Sequence, residues 1–200
     1  EQGIVLEDDC LPNSSFFGYC ETLLNYYRDN EQIMHIAGDN PLTVCKNYEY
    51  SYYFANIMHC WGWASWSRAW KKYQYIISNV QGTLDTNVYF DRKKVKCYWY
   101  NIFTKFEKQP FKIDTWDYQW TYAVLKNNGI CINPAKNLVQ NIGFAGESTH
   151  FNNSGFEFSR STFDINEIKH PKSISLNKKF QLIFYINKHI FTWKYDPSIV

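Results

Sequence analysis

The sequence predicts an α/β domain, and three observations carry that prediction. An apolar run, Ile4-Val5-Leu6, opens the chain and ends in the acidic triplet Glu7-Asp8-Asp9. A helix-periodic segment over 14–28 leads into a second apolar run, Ile33-Met34-His35-Ile36-Ala37. More helix-periodic segments follow, with a short run Ile130-Cys131-Ile132 before Pro134. Strand–helix–strand alternation of this kind builds a sheet covered by helices. Continuous apolar runs suit strands buried on both faces, as in parallel sheets. About half of a doubly wound sheet is visible, and the abrupt start inside a strand leads us to expect a larger parent.

The elements follow in order. Pro12-Asn13 breaks the chain and Asn13 is a candidate N-cap. Phe16, Phe17, Cys20, Leu23, Leu24 and Tyr27 then fall at helical spacing, and Asp29-Asn30 ends the helix. Gly38-Asp39-Asn40-Pro41 closes the second strand, and an aromatic strand is expected over 50–57. Gly62 is followed by Trp63, Trp66 and Trp70, again at helical spacing. A helix is expected over 91–107, with Val95, Tyr98, Trp99, Ile102, Phe103 and Phe106 facing inward. Asp114 or Thr115 caps another, which stops at Asn127-Asn128-Gly129. Residues 151–158 are rich in Asn, Ser and Gly and read as loop, and apolar periodicity returns over 177–193. We expect one domain over 1–171 and an extension, 172–200, packed on it.

Composition narrows the function. The 21 basic and 19 acidic residues nearly cancel, which argues against a mainly electrostatic nucleic-acid or membrane binder. Aromatic residues make up 20% of the chain, and such rings fill cores but also line sugar-binding clefts. The run Leu182-Ile183-Phe184-Tyr185-Ile186 is too short to span a bilayer. The six cysteines include no Cys-x-x-Cys pair, which speaks against a zinc knuckle. Free thiols in a reducing, cytoplasmic compartment are the expectation, with peripheral association at the inner face of a membrane left open.

Four segments carry chemistry. Glu7-Asp8-Asp9 lies at the carboxyl end of a strand, where open α/β sheets bind ligands. Adjacent carboxylates repel, so the triplet suits a hard cation such as Mg²⁺ or Mn²⁺, or equally a solvated turn. In the run 114–120, Trp116 and Trp120 share a helix face, and Asp117 suits either a general base or a helix-start residue bonding back to the cap. In His59-Cys60-Trp61-Gly62-Trp63, Gly62 permits close backbone approach or positive φ, and the flanking Trp residues suit a sugar face or an aromatic core. The segment 141–150 offers two glycines and His150, a candidate ligand in a polar loop.

Taken in this order, the four segments resemble the metal-dependent GT-A glycosyltransferases. Leu6-Glu7-Asp8-Asp9 and Trp61-Gly62-Trp63 are similar to the N-acetylglucosaminyltransferase I type. The run 114–120, Asn137-Leu138-Val139-Gln140-Asn141-Ile142-Gly143 and Thr149-His150 resemble a bacterial group, some of whose members are labelled haemolytic. His170-Pro171 is similar to a tail element of that group. The resemblance covers 1–171 and rests on the ordered set rather than on one motif.

The resemblance implies a GT-A mixed sheet flanked by helices, with a nucleotide-binding half before residue 1 that this sequence lacks. It implies inverting transfer of a hexosyl or N-acetylhexosaminyl group from a nucleotide-sugar, a UDP-sugar in the first instance. The acceptor would be a glycan or lipid-linked saccharide, the cofactor Mn²⁺ or Mg²⁺, and nucleic acid no partner. Asp9 would meet the metal and His150 complete the metal or diphosphate site. Glu7 and Asp8 would contact the nucleotide or hold the motif. Asp117 would be the base that takes the acceptor's proton, Gly62 and Trp63 would shape the sugar pocket, and Trp116 would stack on the acceptor. Two other classes stay open: a non-catalytic carbohydrate-binding or host-interaction protein, and a phosphatase or nuclease built on Glu7-Asp8-Asp9. The latter calls for further metal-directed motifs that the sequence does not display.

Overall fold

A computed structural model of the chain describes residues 1–89, 93–143, 160–183 and 185. The architecture is mixed α/β, with a mixed five-stranded sheet flanked by helices. Its strands are β1 (Gln2–Val5), β3 (Ile33–Ala37), β4 (Tyr52–Ala55), β5 (Trp63–Trp66) and β6 (Ile130–Pro134), in the spatial order β1-β5-β3-β6-β4. β3 and β6 are parallel, and the other neighbours are antiparallel. β1, β3 and β6 therefore run in one direction, and their carboxyl ends share one end of the sheet. There a two-stranded ribbon sits, β2 (Cys10–Pro12) against β7 (Val139–Asn141).

Side-chain alternation assigns the two faces. Ile4, Ala64, Trp66, Ile132, Tyr52 and Phe54 point to α1 (Phe16–Tyr26), which buries Phe16, Cys20, Leu23 and Leu24 against them. The opposite face carries α5 (Asp117–Lys126), whose Trp120, Ala123 and Val124 cover Met34 and Cys131. Outside α5 pack α3 (Val80–Thr86) and α4 (Lys93–Lys108), through Leu84, Trp99, Phe103 and Phe106. Fully burying one such side chain is worth about 1.5–3 kcal/mol. Residues 160–183 run along the β4 edge of the sheet. Ser51 Oγ accepts from the Lys169 N–H at 2.8 Å, Leu176 bridges to Phe54, and Phe180 is buried against Tyr53. His170 stacks on Tyr26 and shares a 2.7 Å hydrogen bond with the Tyr52 hydroxyl.

Four expectations change. β1 is neither buried on both faces nor flanked by parallel strands: it is an edge strand paired antiparallel to β5, with Val5 40% exposed. An apolar run does not distinguish a central strand from an edge. The segment 63–70 is not one helix, because Trp63–Trp66 is a buried strand and only α2 (Ser67–Trp70) is helical. The pairing of Ala64 with both Ile4 and Ile36 holds that segment extended, a tertiary constraint that overrides helical spacing. Asn13 is not the N-cap position of α1, which is Ser15; the Asn13 Oδ1 instead accepts the Ser15 N–H in a turn just before the helix. Neither Asp114 nor Thr115 caps α5, and Asp117 is its first residue rather than its third. The stop at 127–129 is as expected, with Asn128 left-handed at φ 48° and the Gly129 N–H bonded to the Val124 carbonyl. The expected loop over 151–158 and the segment beyond 185 lie outside the described residues.

Candidate functional site

The site lies at the carboxyl end of β1, and glycines bring its parts together. Gly62 has φ 65°, and a Cβ there would lie 2.9 Å from Val139 Cγ2 and 3.1 Å from Leu6 Cδ2. Both uses expected of Gly62, positive φ and close approach, are therefore present. Its carbonyl accepts the Gly38 N–H at 2.7 Å, and a Cβ on Gly38 would meet Phe16 at 2.4 Å. The two glycines thus fuse the end of β3, the start of β5 and the entry to α1 with no room for a side chain.

The acidic triplet turns sharply here, with the Cys10 N–H bonded to the Glu7 carbonyl. Asp8 is exposed at the tip, while Glu7 and Asp9 are half-buried and turn inward. Asn141 of β7 donates its Nδ2 to Asp9 Oδ2 at 3.0 Å, and the Ile142 N–H bonds the Asp9 carbonyl. A Cβ on Gly143 would meet Asp9 Oδ2 at 2.5 Å, so only glycine fits beside this carboxylate. Asn141, a residue without an assigned role in the sequence reading, is thus the partner that orients Asp9. Its place directly opposite Cys10 in the ribbon explains how.

The second acidic motif meets the first. Trp116 Nε1 approaches Glu7 Oε1 at 3.4 Å, across 109 residues of sequence. Asp117 accepts from the Thr115 hydroxyl and stands in the first turn of α5, where the helix dipole favours an anion. Burial pushes the Glu7 carboxyl above its ordinary range, and the charges of Asp9, Asp117 and Asp8 push the same way against the Trp116 hydrogen bond. Four of the predicted site residues, Glu7, Asp8, Asp9 and Asp117, are therefore electrostatically coupled.

Trp63 and Trp116 stack with centroids 5.3 Å apart, and His35 stacks beneath Trp63 at 5.3 Å. A stacked aromatic pair is worth about 0.5–1.5 kcal/mol beyond its buried area. His35 is buried and bridges Trp120 Nε1, 3.2 Å from its Nδ1, and the His59 carbonyl, 2.9 Å from its Nε2. Burial lowers its pKa to about 4, so it is neutral at pH 7, accepting at Nδ1 and donating at Nε2. Trp66 and Trp120 are buried core residues. Trp61 lies under the guanidinium of Arg160, 5.2 Å from its ring.

Among the described residues, Glu7, Asp9 and Cys10 form the group of side chains able to hold a metal, their ligand atoms within 4.8 Å of one another. Burial pushes the Cys10 thiol up to about 12, so it stays protonated and is a poor partner for a hard cation. The oxygen atoms of the two carboxylates are the donor type that a hard cation such as Mg²⁺ or Mn²⁺ takes. His150 lies outside the described residues. No helix among the described residues is long and apolar enough to cross a membrane. Neither a family model nor a curated protein matches the chain.

Proposed function

We propose that this chain is the catalytic and acceptor-binding part of a GT-A-type glycosyltransferase, which moves a sugar from a nucleotide-sugar to a saccharide or lipid-linked acceptor with inversion. The observation that carries the reading is the meeting of Glu7 with Trp116 and Asp117, two acidic motifs from opposite halves of the sequence at one end of the sheet. A divalent cation held by Glu7 and Asp9 would neutralise the diphosphate as it leaves the sugar carbon. Asp8, exposed beside them, is free to reach the nucleotide.

The chain's own residues have separable tasks. Asp117, held by the Thr115 hydroxyl at a helix start, takes the proton of the acceptor hydroxyl as that oxygen attacks the sugar carbon. Attack from the side opposite the departing diphosphate gives inversion. Trp63 and Trp116 bound the space beside the base; Gly62 lets β5 begin close enough to β7 to supply Trp63, and the start of α5 supplies Trp116. On this reading a nucleotide-binding unit N-terminal to Glu1 joins the outer edge of β1, where the side chains of Val5 and Leu6 are exposed.

The test uses the full-length protein with UDP-sugars and Mn²⁺. Asp117→Asn keeps an acceptor for the Thr115 hydroxyl but cannot take a proton. We expect turnover to fall by about 10²–10⁴-fold, with UDP affinity unchanged; unchanged turnover removes the base. Asp9→Ala should weaken Mn²⁺-dependent UDP binding, and calorimetry giving equal UDP affinity with and without Mn²⁺ removes the metal site.

A further inference from the structure

Two loops meet beside the end of α4, and each turns one apolar side chain inward and another outward. In the loop after α2, Ile77 is 1% exposed and joins the buried cluster around Phe103 and Phe106, while Tyr75 and Ile76 are 45% and 54% exposed. In the turn after α4, Ile113 packs on the same cluster, while Phe111 is 76% exposed. We infer that this face is a docking surface for an anionic lipid bilayer, with Phe111, Tyr75 and Ile76 entering the headgroup region and the lysines around them meeting the lipid charges.

The outward side chains form one patch, held by hydrogen-bonded structure. The rings of Tyr75 and Phe111 lie 6.0 Å apart. The Gln109 N–H bonds the Lys105 carbonyl and the Lys112 N–H bonds the Gln109 carbonyl, so a turn continues α4 and carries Phe111. Lys126 Nζ donates to Gln74 Oε1 at 3.1 Å, which ties the other loop to the end of α5. Apolar side chains held out in water are unfavourable there and favourable in a bilayer interface.

Charge identifies the partner. Segments 71–76 and 105–112 carry Lys71, Lys72, Lys105, Lys108 and Lys112, all exposed, against one acid, Glu107. Five minus one is +4, and the whole chain is +2, so the remainder carries −2. The near-balance of the chain thus hides a basic face. Glu107 is engaged, accepting the Val80 N–H at its Oε1, and Asp114 is the next carboxylate along the chain. Lysines around exposed aromatic rings match an anionic leaflet. Nucleic acid fits less well: neither segment contains an arginine, and Ile76 makes no favourable contact with a phosphate backbone.

Docking does not depend on the transferase reading. One consequence rests on that reading: the acceptor would be the lipid-linked one. Asp117 follows Phe111 by six residues (117 minus 111), which keeps the base within about 22 Å of the inserted ring.

The experiment is flotation of the full-length protein with vesicles of phosphatidylcholine alone and of an equimolar mixture with phosphatidylglycerol, alongside calorimetric titration with UDP and Mn²⁺. We expect binding to the mixed vesicles that weakens with added salt, and far less to the neutral ones. Phe111→Ser should weaken it about tenfold or more, the loss of one buried aromatic side chain. The double variant Lys108→Glu, Lys112→Glu should weaken it by at least about 25-fold, about fivefold for each lysine lost. All three positions are exposed, so thermal midpoints and UDP affinity should not change. The surface is overturned if the mixed vesicles are not bound, if they are bound no better than neutral ones, or if either variant binds as the parent does. Binding to a DNA duplex in place of vesicles would make the face a nucleic-acid surface, and a dimer that Phe111→Ser dissolves would make it a contact between copies; each overturns it. Vesicle binding without UDP binding upholds the surface and removes the transferase reading, and UDP binding without vesicle binding does the reverse.

Discussion

The interior of β3 and β5 and the edge at β1 are built on opposite terms, though Val5 and Trp63 are direct partners. In the interior every fit is tight: Gly62 and Gly38 leave no room for a methyl group, and both ring nitrogens of His35 are hydrogen-bonded. At the edge, Gly3 faces open space, and the Glu7 carboxyl is raised by burial and by neighbouring like charges. The interior is arranged for stability. The edge is looser, with unfilled space and mutually repelling carboxylates.

The largest effect that would break this contrast comes from paired glycine substitutions. Gly62→Ala meets Val139 Cγ2 and keeps a left-handed backbone, so it should cost about 2–4 kcal/mol. Gly3→Ala should change stability by less than about 0.5 kcal/mol. Denaturant midpoints measure both, and comparable losses at the two positions would erase the distinction.

His35 gives the next effect, comparable in size but spread over pH. Its folded pKa, about 4, lies below the ordinary 6.5, so the unfolded chain binds the proton more tightly. Its contribution is complete above pH 6.5 and is lost as pH falls toward 4, amounting to about 3 kcal/mol at roughly 1.4 kcal/mol per pH unit. His35→Gln, whose amide can also accept from Trp120 and donate to His59, should flatten the stability profile between pH 4 and 6.5. An unchanged slope would show that other groups produce it.

The smallest effect belongs to the edge and has the opposite sign. The folded pKa of Glu7 is raised, so its stability is greatest below the ordinary carboxylate range and falls as pH rises through the folded value. Glu7→Gln should stabilise the metal-free protein at pH 7 by less than about 1 kcal/mol, and the gain should vanish near pH 4. Thermal melts at the two pH values check this. Destabilisation at pH 7 would mean that the Trp116 contact outweighs the repulsion.

The sequence made the helices and the acidic points more legible than the pairing of the strands, for physical reasons. Helical spacing located α1 and α4 because each buries one continuous stripe. The glycine at 62 announced a special backbone, and Glu7, Asp9 and Asp117 were recognisable as acidic points. The failures come from long-range partners. Nothing local says that Trp63–Trp66 is held extended by β1 and β3, or that β1 lies at an edge. Asn141 could be matched to Asp9 only once β2 and β7 were known to pair.

The strand order β1-β5-β3-β6-β4 has a consequence for synthesis on the ribosome. Among the described residues β4 joins the sheet only through β6, which begins 75 residues after β4 ends (130 minus 55). At about 5–20 residues per second, that is a wait of about 4–15 s. During that interval Tyr52-Tyr53-Phe54-Ala55 is a strand without its pairing partner, aromatic and uncharged, the kind of segment that chaperones shield and that aggregates when they do not.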